Sequence, residues 1–236
     1  MSKLEVSAVC VDRSHLPVVR DVNLTVESGK ISVLLGANGA GKTTLLEGLS
    51  GVIPIASGRI TVDGHDVRRA RPGERVRAGL AHVEQGRTVF RQLTTDENLR
   101  AGARSGEALE EAYELFPELR PRRQIKAGLL SGGEQQMLVI ARALVGRPKI
   151  LLIDEMSAGL APVIVRRLMT TVRQLADQGL AVVLVEQFAE LALAIGDRAY
   201  VLRRGQMVYD GSCSELREAP DRLHQLYLGA ATSHAA

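Results

Sequence analysis

The sequence predicts an α/β protein built on a mostly parallel sheet, and three short stretches carry that expectation. ISVLLG (31–36), ILLID (Ile150–Asp154) and LAVVLV (Leu180–Val185) are continuous apolar runs, the pattern of strands covered on both faces. Each gives way to a stretch of helical period: KTTLLEGLSG, PVIVRRLMTTVRQLADQ and FAELALAI. Strands alternating with helices of that length build parallel βαβ units, because a parallel strand needs a crossover before it can pair.

Ahead of the first buried run, KLEVSAVCV and VVRDVNLTVE alternate in polarity and are rich in β-branched residues, which predicts an N-terminal antiparallel β region ending at Ser28-Gly29. Between Val89 and Arg147 the texture changes. ENLRAGA, EALEEAYELF and GEQQMLVIARALVG are helical in period, Pro117 and Pro121 punctuate them, and no buried strand occurs. The expected organisation is an α/β core of residues 1–88 and 148–236, with a helical subdomain inserted over 89–147. The closing SHAA reads as a loose tail.

A chain of 236 residues with 45% hydrophobic content is ordinary for a globular protein of this plan. A net charge of +3 is too slight a surplus to imply a nucleic-acid partner. The local exception, RRARPGERVR (68–77), reads as a solvated helix face, with contact to anionic lipid as the alternative. Cys10 and Cys213 lie about 200 residues apart and the five histidines are scattered, which argues against a disulfide framework or a zinc site and for a reducing compartment. MSKLEV carries no apolar signal core, and no run approaches the roughly 18 to 20 apolar residues that span a bilayer. Membrane association is therefore expected to be peripheral.

GANGAGKT (36–43) fits GxxxxGK[ST] and sits between a predicted buried strand and a predicted helix, the context that motif requires. Gly36, Gly39 and Gly41 let the loop curl so that its amides, among them those of Asn38, Ala40, Lys42, Thr43 and Thr44, point inward. The helix N-terminus adds its positive dipole end, and the whole cradles phosphates. Lys42 can bridge the β and γ phosphates, and the Thr43 hydroxyl can ligate Mg2+. In ILLIDE a buried strand delivers Asp154 and Glu155 at its carboxyl end, where open α/β sheets bind ligands. Alone that pair is an ordinary strand terminus. Beside the phosphate loop, Asp154 suits Mg2+, usually through water, and Glu155 is placed to polarise an attacking water.

LSGGEQQ (130–136) holds a capping box, Ser131 with Glu134, so its modest meaning is a well-capped helix. Gly132 and Gly133 behind that serine expose backbone amides at the positive helix end, making a second anion site.

With the phosphate loop, LSGGEQQ and ILLIDE in this order and spacing, the chain resembles the ATP-binding subunit of an ABC transporter, a P-loop NTPase. The resemblance covers Lys3 to about Gly229. It implies ATP and Mg2+ as cofactors. It also implies a head-to-tail dimer, with itself or with a related ATPase, in which Ser131, Gly132, Gly133 and Gln135 of one subunit face the γ-phosphate held by the other. Gln85, in HVEQGRTVF, matches the glutamine-loop position, which touches Mg2+ and the attacking water and couples to the membrane subunit. SAGLAP (157–162) matches the loop that crosses the dimer interface, and Gln187 takes the switch position where most of the superfamily has histidine. Glu155, Gln187 and Gln85 are thus the expected catalytic residues, and Thr43, Gln85 and Asp154 the expected metal contacts. Without the resemblance, Glu186 and Gln187 would read as the wet end of a strand.

EQGRTVF, TTDENL, ELFPEL, GLAPVIV, LVEQ and YLG narrow the resemblance to the shorter ATPase of branched-chain amino acid uptake systems. ATPases for urea and short-chain amides are close relatives and often carry glutamine at the Gln85 position. A soluble ABC ATPase of translation or DNA repair, and a degenerate regulatory cassette, are the remaining alternatives. The implied partners are two integral-membrane permeases and, indirectly, a solute-binding protein, at the cytoplasmic face of the cell membrane. Two residues depart from the family pattern. Met156 stands where proline usually follows the glutamate, and the region of Cys10, Val11 and His15 lacks the aromatic that stacks on adenine, so the resemblance implies either weaker adenine binding or His15 as a substitute.

Overall fold

A computed structural model describes residues 3–103 and 106–228. The chain opens with β1 (Lys3–Arg13) and β2 (Leu16–Glu27), a hairpin turning at Ser14 and His15, followed by β3 (Ile31–Leu35) and α1 (Lys42–Ser50). Next come β4 (Ser57–Val62), β5 (His65–Asp66), α2 (Pro72–Ala78) and β6 (Leu80–Val83). Three helices follow, α3 (Thr95–Arg100), α4 (Gly106–Leu115) and α5 (Gly132–Leu144), with 3-10 turns at Pro117–Arg122 and Ala127–Leu129. The last part runs β7 (Ile150–Asp154), α6 (Pro162–Asp177), β8 (Ala181–Val185), α7 (Ala189–Ile195), β9 (Arg198–Arg203), β10 (Gln206–Ser212), α8 (Cys213–Glu218) and α9 (Pro220–Leu228). The tail SHAA lies outside the described residues.

The strands form two sheets. β2-β1-β4-β5 is antiparallel throughout, and β10-β9-β3-β8-β7-β6 is parallel except for β10 at its edge. Apolar burial explains the layering. Alternate residues of the parallel strands enter two different cores, because successive side chains of a strand point to opposite faces. Leu151, Ile153, Val182 and Leu184 join the core that contains α5 and α6 residues such as Leu138 and Leu168. Ile150, Leu152, Val183 and Val185 join the core that contains α1 and the antiparallel sheet, with Leu46, Val6 and Val22. Leu99, Tyr113 and Phe116 of the helical stretch belong to the first of these cores, so that stretch is welded to the sheet.

Four strands have little sequence signal. β6 is only LAHV, β10 is mostly polar, β4 spans a glycine, and β9 (RAYVLR) has arginine at both ends. Position in the sheet, rather than local pattern, makes them strands. The basic run 68–77 is a solvated face at Arg69, Arg71 and Arg77 but not at Arg75. Arg75 is 2% exposed, and its guanidinium donates to the carbonyls of Gly48 and Leu49 at the end of α1 at 2.6 and 2.7 Å, to Arg68 O at 2.7 Å and to Ala70 O at 3.0 Å. Three of these carbonyls, at Leu49, Arg68 and Ala70, have no other described donor, while Gly48 O also accepts from Gly51 N at 3.3 Å.

Candidate functional site

β3 ends under the turn of the phosphate loop, and α1 starts at its far side. The loop needs its glycines where the backbone turns left-handed: φ is +77° at Gly39 and +105° at Gly41, and a Cβ on Gly36 would stand 2.3 Å from Leu202 O. Lys42 is buried, and its Nζ donates to Gly36 O at 2.8 Å and Ala37 O at 3.2 Å, folding the side chain back over the loop. Burial lowers the Lys42 pKa, opposed by the charges of Glu155 and Asp154.

Asp154 closes β7 and is 1% exposed, with neither carboxylate oxygen hydrogen-bonded. Burial raises its pKa and the Glu155 charge adds to the rise. The Thr43 hydroxyl and Lys42 oppose it, although the hydroxyl is not in bonding geometry. A buried carboxylate without a partner is costly, and beside Thr43 it is the donor set a hard cation takes, two oxygens with the remaining places left to phosphate and water. Mg2+ therefore fits here.

Glu155 adopts φ +49°, unusual for a residue with a side chain, while its N–H still donates to Val185 O at 3.0 Å. The turn brings its carboxylate into a cavity of about 410 Å3 lined by residues 38–44, Arg13, Val18, Gln85, Glu155 and Gln187. There Gln85 Nε2 donates to Glu155 Oε2 at 2.6 Å and Gln187 Nε2 donates to the same oxygen at 2.9 Å. Three residues 70 and 32 positions apart in sequence thus meet at one atom. No described residue hydrogen-bonds Glu155 Oε1, which leaves that oxygen for a water.

The signature residues stand elsewhere: none of Ser131, Gly132, Gly133 and Gln135 lines this cavity. Ser131 caps α5, its hydroxyl accepting from Glu134 N at 3.3 Å while Glu134 Oε2 accepts from Ser131 N at 2.8 Å. The Gln135 amide is turned to Ala127 O at 3.0 Å. His15 is also absent from the cavity, whereas Arg13 and Val18 of the same hairpin line it.

Two residues had no separate sequence signal. Arg87, with φ +56°, donates to Ala158 O at 2.8 Å and Gly159 O at 3.2 Å. Its guanidinium stands where a Cβ on Gly132 would be 2.6 Å away, so one side chain links the Gln85 loop, the SAGLAP loop and the α5 start. Glu186 is not a wet strand end. It is 1% exposed and accepts from Ser157 twice, from the N–H at 3.2 Å and from the hydroxyl. Burial raises its pKa despite those bonds.

The family described as ABC transporter matches residues 19–158. The high-affinity branched-chain amino acid transport ATP-binding protein BraG of Pseudomonas aeruginosa is 42% identical over 220 residues, 91% of this chain and 94% of its own length. The lipopolysaccharide export system ATP-binding protein LptB of Escherichia coli is 36% identical over 90% of this chain and 91% of its own. A crystal structure of a nucleotide-free ATP-binding cassette from an ABC transporter superposes with a TM-score of 0.86 over 97% of this chain and 100% of that one; at 24% identity it speaks to the fold alone. With the phosphate loop, the paired carboxylates and the capped glycine pair all in place, the chain belongs to the ABC transporter family and is one of its ATP-hydrolysing cassettes.

Proposed function

We propose that this cassette hydrolyses MgATP to drive import of branched-chain amino acids, with Glu155 as the base. The observation that carries the chemistry is the convergence of Gln85 and Gln187 on Glu155 Oε2 at the mouth of the phosphate loop. Loop residues 36–44 hold the phosphates, and Lys42 exchanges its carbonyl partners for phosphate oxygens of the substrate. The two amides hold one oxygen of Glu155, and the other orients a water and accepts its proton as the water attacks the γ-phosphate. Mg2+, held by Thr43 and Asp154 with Gln85 nearby, would supply charge neutralisation at the β and γ phosphates. Glu155→Gln should keep ATP affinity and lose phosphate release; normal turnover in that variant overturns the assignment.

Ser131, Gly132, Gly133 and Gln135 act on the ATP of a second subunit, which is why they lie outside this cavity. That subunit is a second copy or a related ATPase, so the helical unit 89–147 presents its α5 end outward from the core of 1–88 and 148–236. Two membrane permeases are the larger partners and a solute-binding protein the indirect one, with no nucleic acid, at the cytoplasmic face of the membrane. Among the described residues no helix is long and apolar enough to cross a membrane. A contact surface is available: Phe90, Leu93, Ile125 and Leu129 are exposed, the last by 77%. The two segments that carry them are tied by Ala127 N to Leu93 O and Thr95 N to Ile125 O, both 2.9 Å. Arg142 of α5 stacks on Phe90 at 4.5 Å and donates to Thr88 O at 2.5 Å, so movement at that surface reaches α5 and the Gln85 loop together.

The name of the Pseudomonas relative supports amino acids as the solute. Glutamine at position 85 favours urea or a short-chain amide instead. Uptake of labelled leucine and of urea by cells lacking and regaining the gene separates the two: loss and recovery of leucine uptake supports the first, and of urea uptake alone the second.

A further inference from the structure

The chain is tied three times where β7 and β8 end, within residues 155–157 on one side and 185–187 on the other. Glu155 N–H donates to Val185 O at 3.0 Å, Ser157 donates its N–H and its hydroxyl to the buried Glu186 carboxylate, and Gln187 donates to Glu155 at 2.9 Å. The first tie continues the strand pairing. The second has no such origin. A carboxylate 1% exposed at the end of an apolar strand is costly to bury, and the two bonds from Ser157 are the described side-chain hydrogen bonds that offset it.

Between the two tied points lie Glu155, in the left-handed conformation, and Met156. A left-handed turn at a residue with a side chain persists only where its surroundings hold it. Proline after the glutamate would stiffen the backbone just past the turn by fixing its own φ, and methionine does not. Met156 is instead anchored by burial, 1% exposed in the core under α5 and α6. One residue further, Ser157 is 2% exposed and gripped through both its N–H and its hydroxyl.

We propose that Glu186 is a positioning residue for ATP hydrolysis: by clamping Ser157 it fixes the Asp154–Ser157 turn and so aims the Glu155 carboxylate. It acts through Glu155 and touches neither nucleotide nor water. Two neighbours just past β8 then divide the task, Glu186 holding the backbone of the turn and Gln187 the carboxylate it presents. The idea rests on Glu155 as the base.

The test is steady-state hydrolysis by the full chain, with ATP affinity measured separately by nucleotide binding and folding by thermal unfolding. Glu186→Ala should lower kcat by about 10-fold or more while KM and ATP affinity stay within about threefold, because a small misplacement of a reacting group costs rate and not ground-state binding. Glu186→Gln should recover most of the rate, since its amide oxygen can accept from Ser157 N and its NH2 can donate to Ser157 Oγ. Unchanged kcat in Glu186→Ala overturns the proposal, as does equal loss of rate and Tm in the Ala and Gln variants. Should the alanine variant fail to fold, Ser157→Ala removes one of the two bonds: a fall in kcat at constant KM supports the clamp, and an unchanged kcat removes it. Glu155→Gln measured alongside separates the two levels. Turnover surviving there refutes the base itself, whereas its loss together with an unaffected Glu186→Ala refutes only the clamp.

Discussion

Gln187 Nε2 donates to Glu155 Oε2 at 2.9 Å, so the end of β8 holds the carboxylate at the end of β7. An amide at this place can orient but cannot change charge near neutral pH. Gln187→Ala should lower kcat by about 10-fold with KM little changed, as expected for loss of an orienting contact. Gln187→His should introduce an acid limb near pH 6.5 that the parent profile lacks between about pH 6 and 8, read from kcat against pH.

Asp154 predicts a trade between stability and activity. Burial raises its folded pKa, so the ionised carboxylate is disfavoured in the fold. The stability lost this way grows as pH rises from the ordinary value of 3.8 and is complete above the folded pKa. Asp154→Asn should therefore stabilise the nucleotide-free protein by about 2 kcal/mol at neutral pH, read by urea unfolding, while hydrolysis falls about 100-fold. The thermal shift on adding MgATP should shrink in the same variant.

His82 makes the fold sensitive to acid. Its Nδ1 lies 3.0 Å from Ser50 Oγ at the end of α1, its Nε2 is buried without a partner, and burial lowers its pKa to about 4. Below pH 6.5 the unfolded chain takes up a proton that the folded chain refuses, so stability falls as pH drops from about 6.5 to 4 and this group adds nothing below that. The total is about 3 kcal/mol, and His82→Gln should remove that slope from unfolding measured across the interval.

Arg75→Met should cost about 3 kcal/mol in urea unfolding, because it leaves the carbonyls of Leu49, Arg68 and Ala70 without donors and Gly48 O with only the Gly51 N–H. Lysine should recover only part of this, lacking the planar fork that reaches several carbonyls at once. ATP affinity should weaken in both, since α1 carries Lys42 at its other end.

The parallel strands β3, β7 and β8 were legible because burial on both faces leaves an unbroken apolar run, and the phosphate loop because it demands glycine at fixed offsets. The helices of 89–147 were legible from their period. Strands such as β6 were not, since LAHV is too short to show alternation and one of its four residues is a histidine held by Ser50. Among the site residues, Glu155, Gln85 and Gln187 were named from motif position, but nothing in the sequence says that two amides share one oxygen. Arg75 and Glu186 were hidden for a common reason. Residue type places charge at the surface, and only the fold shows that backbone donors or acceptors meet it inside.

The parallel sheet divides the interior into two compartments, and β7 and β8 supply alternate residues to each. Lesions in the strands should therefore sort by parity. Enlarging or trimming Leu151 or Val182 disturbs the α5 and α6 side, whereas the same change at Leu152 or Val183 disturbs α1 and the antiparallel sheet. Temperature-sensitive alleles one residue apart would then be rescued by second-site changes on opposite sides of the molecule, so a suppressor screen could map the partition without a structure.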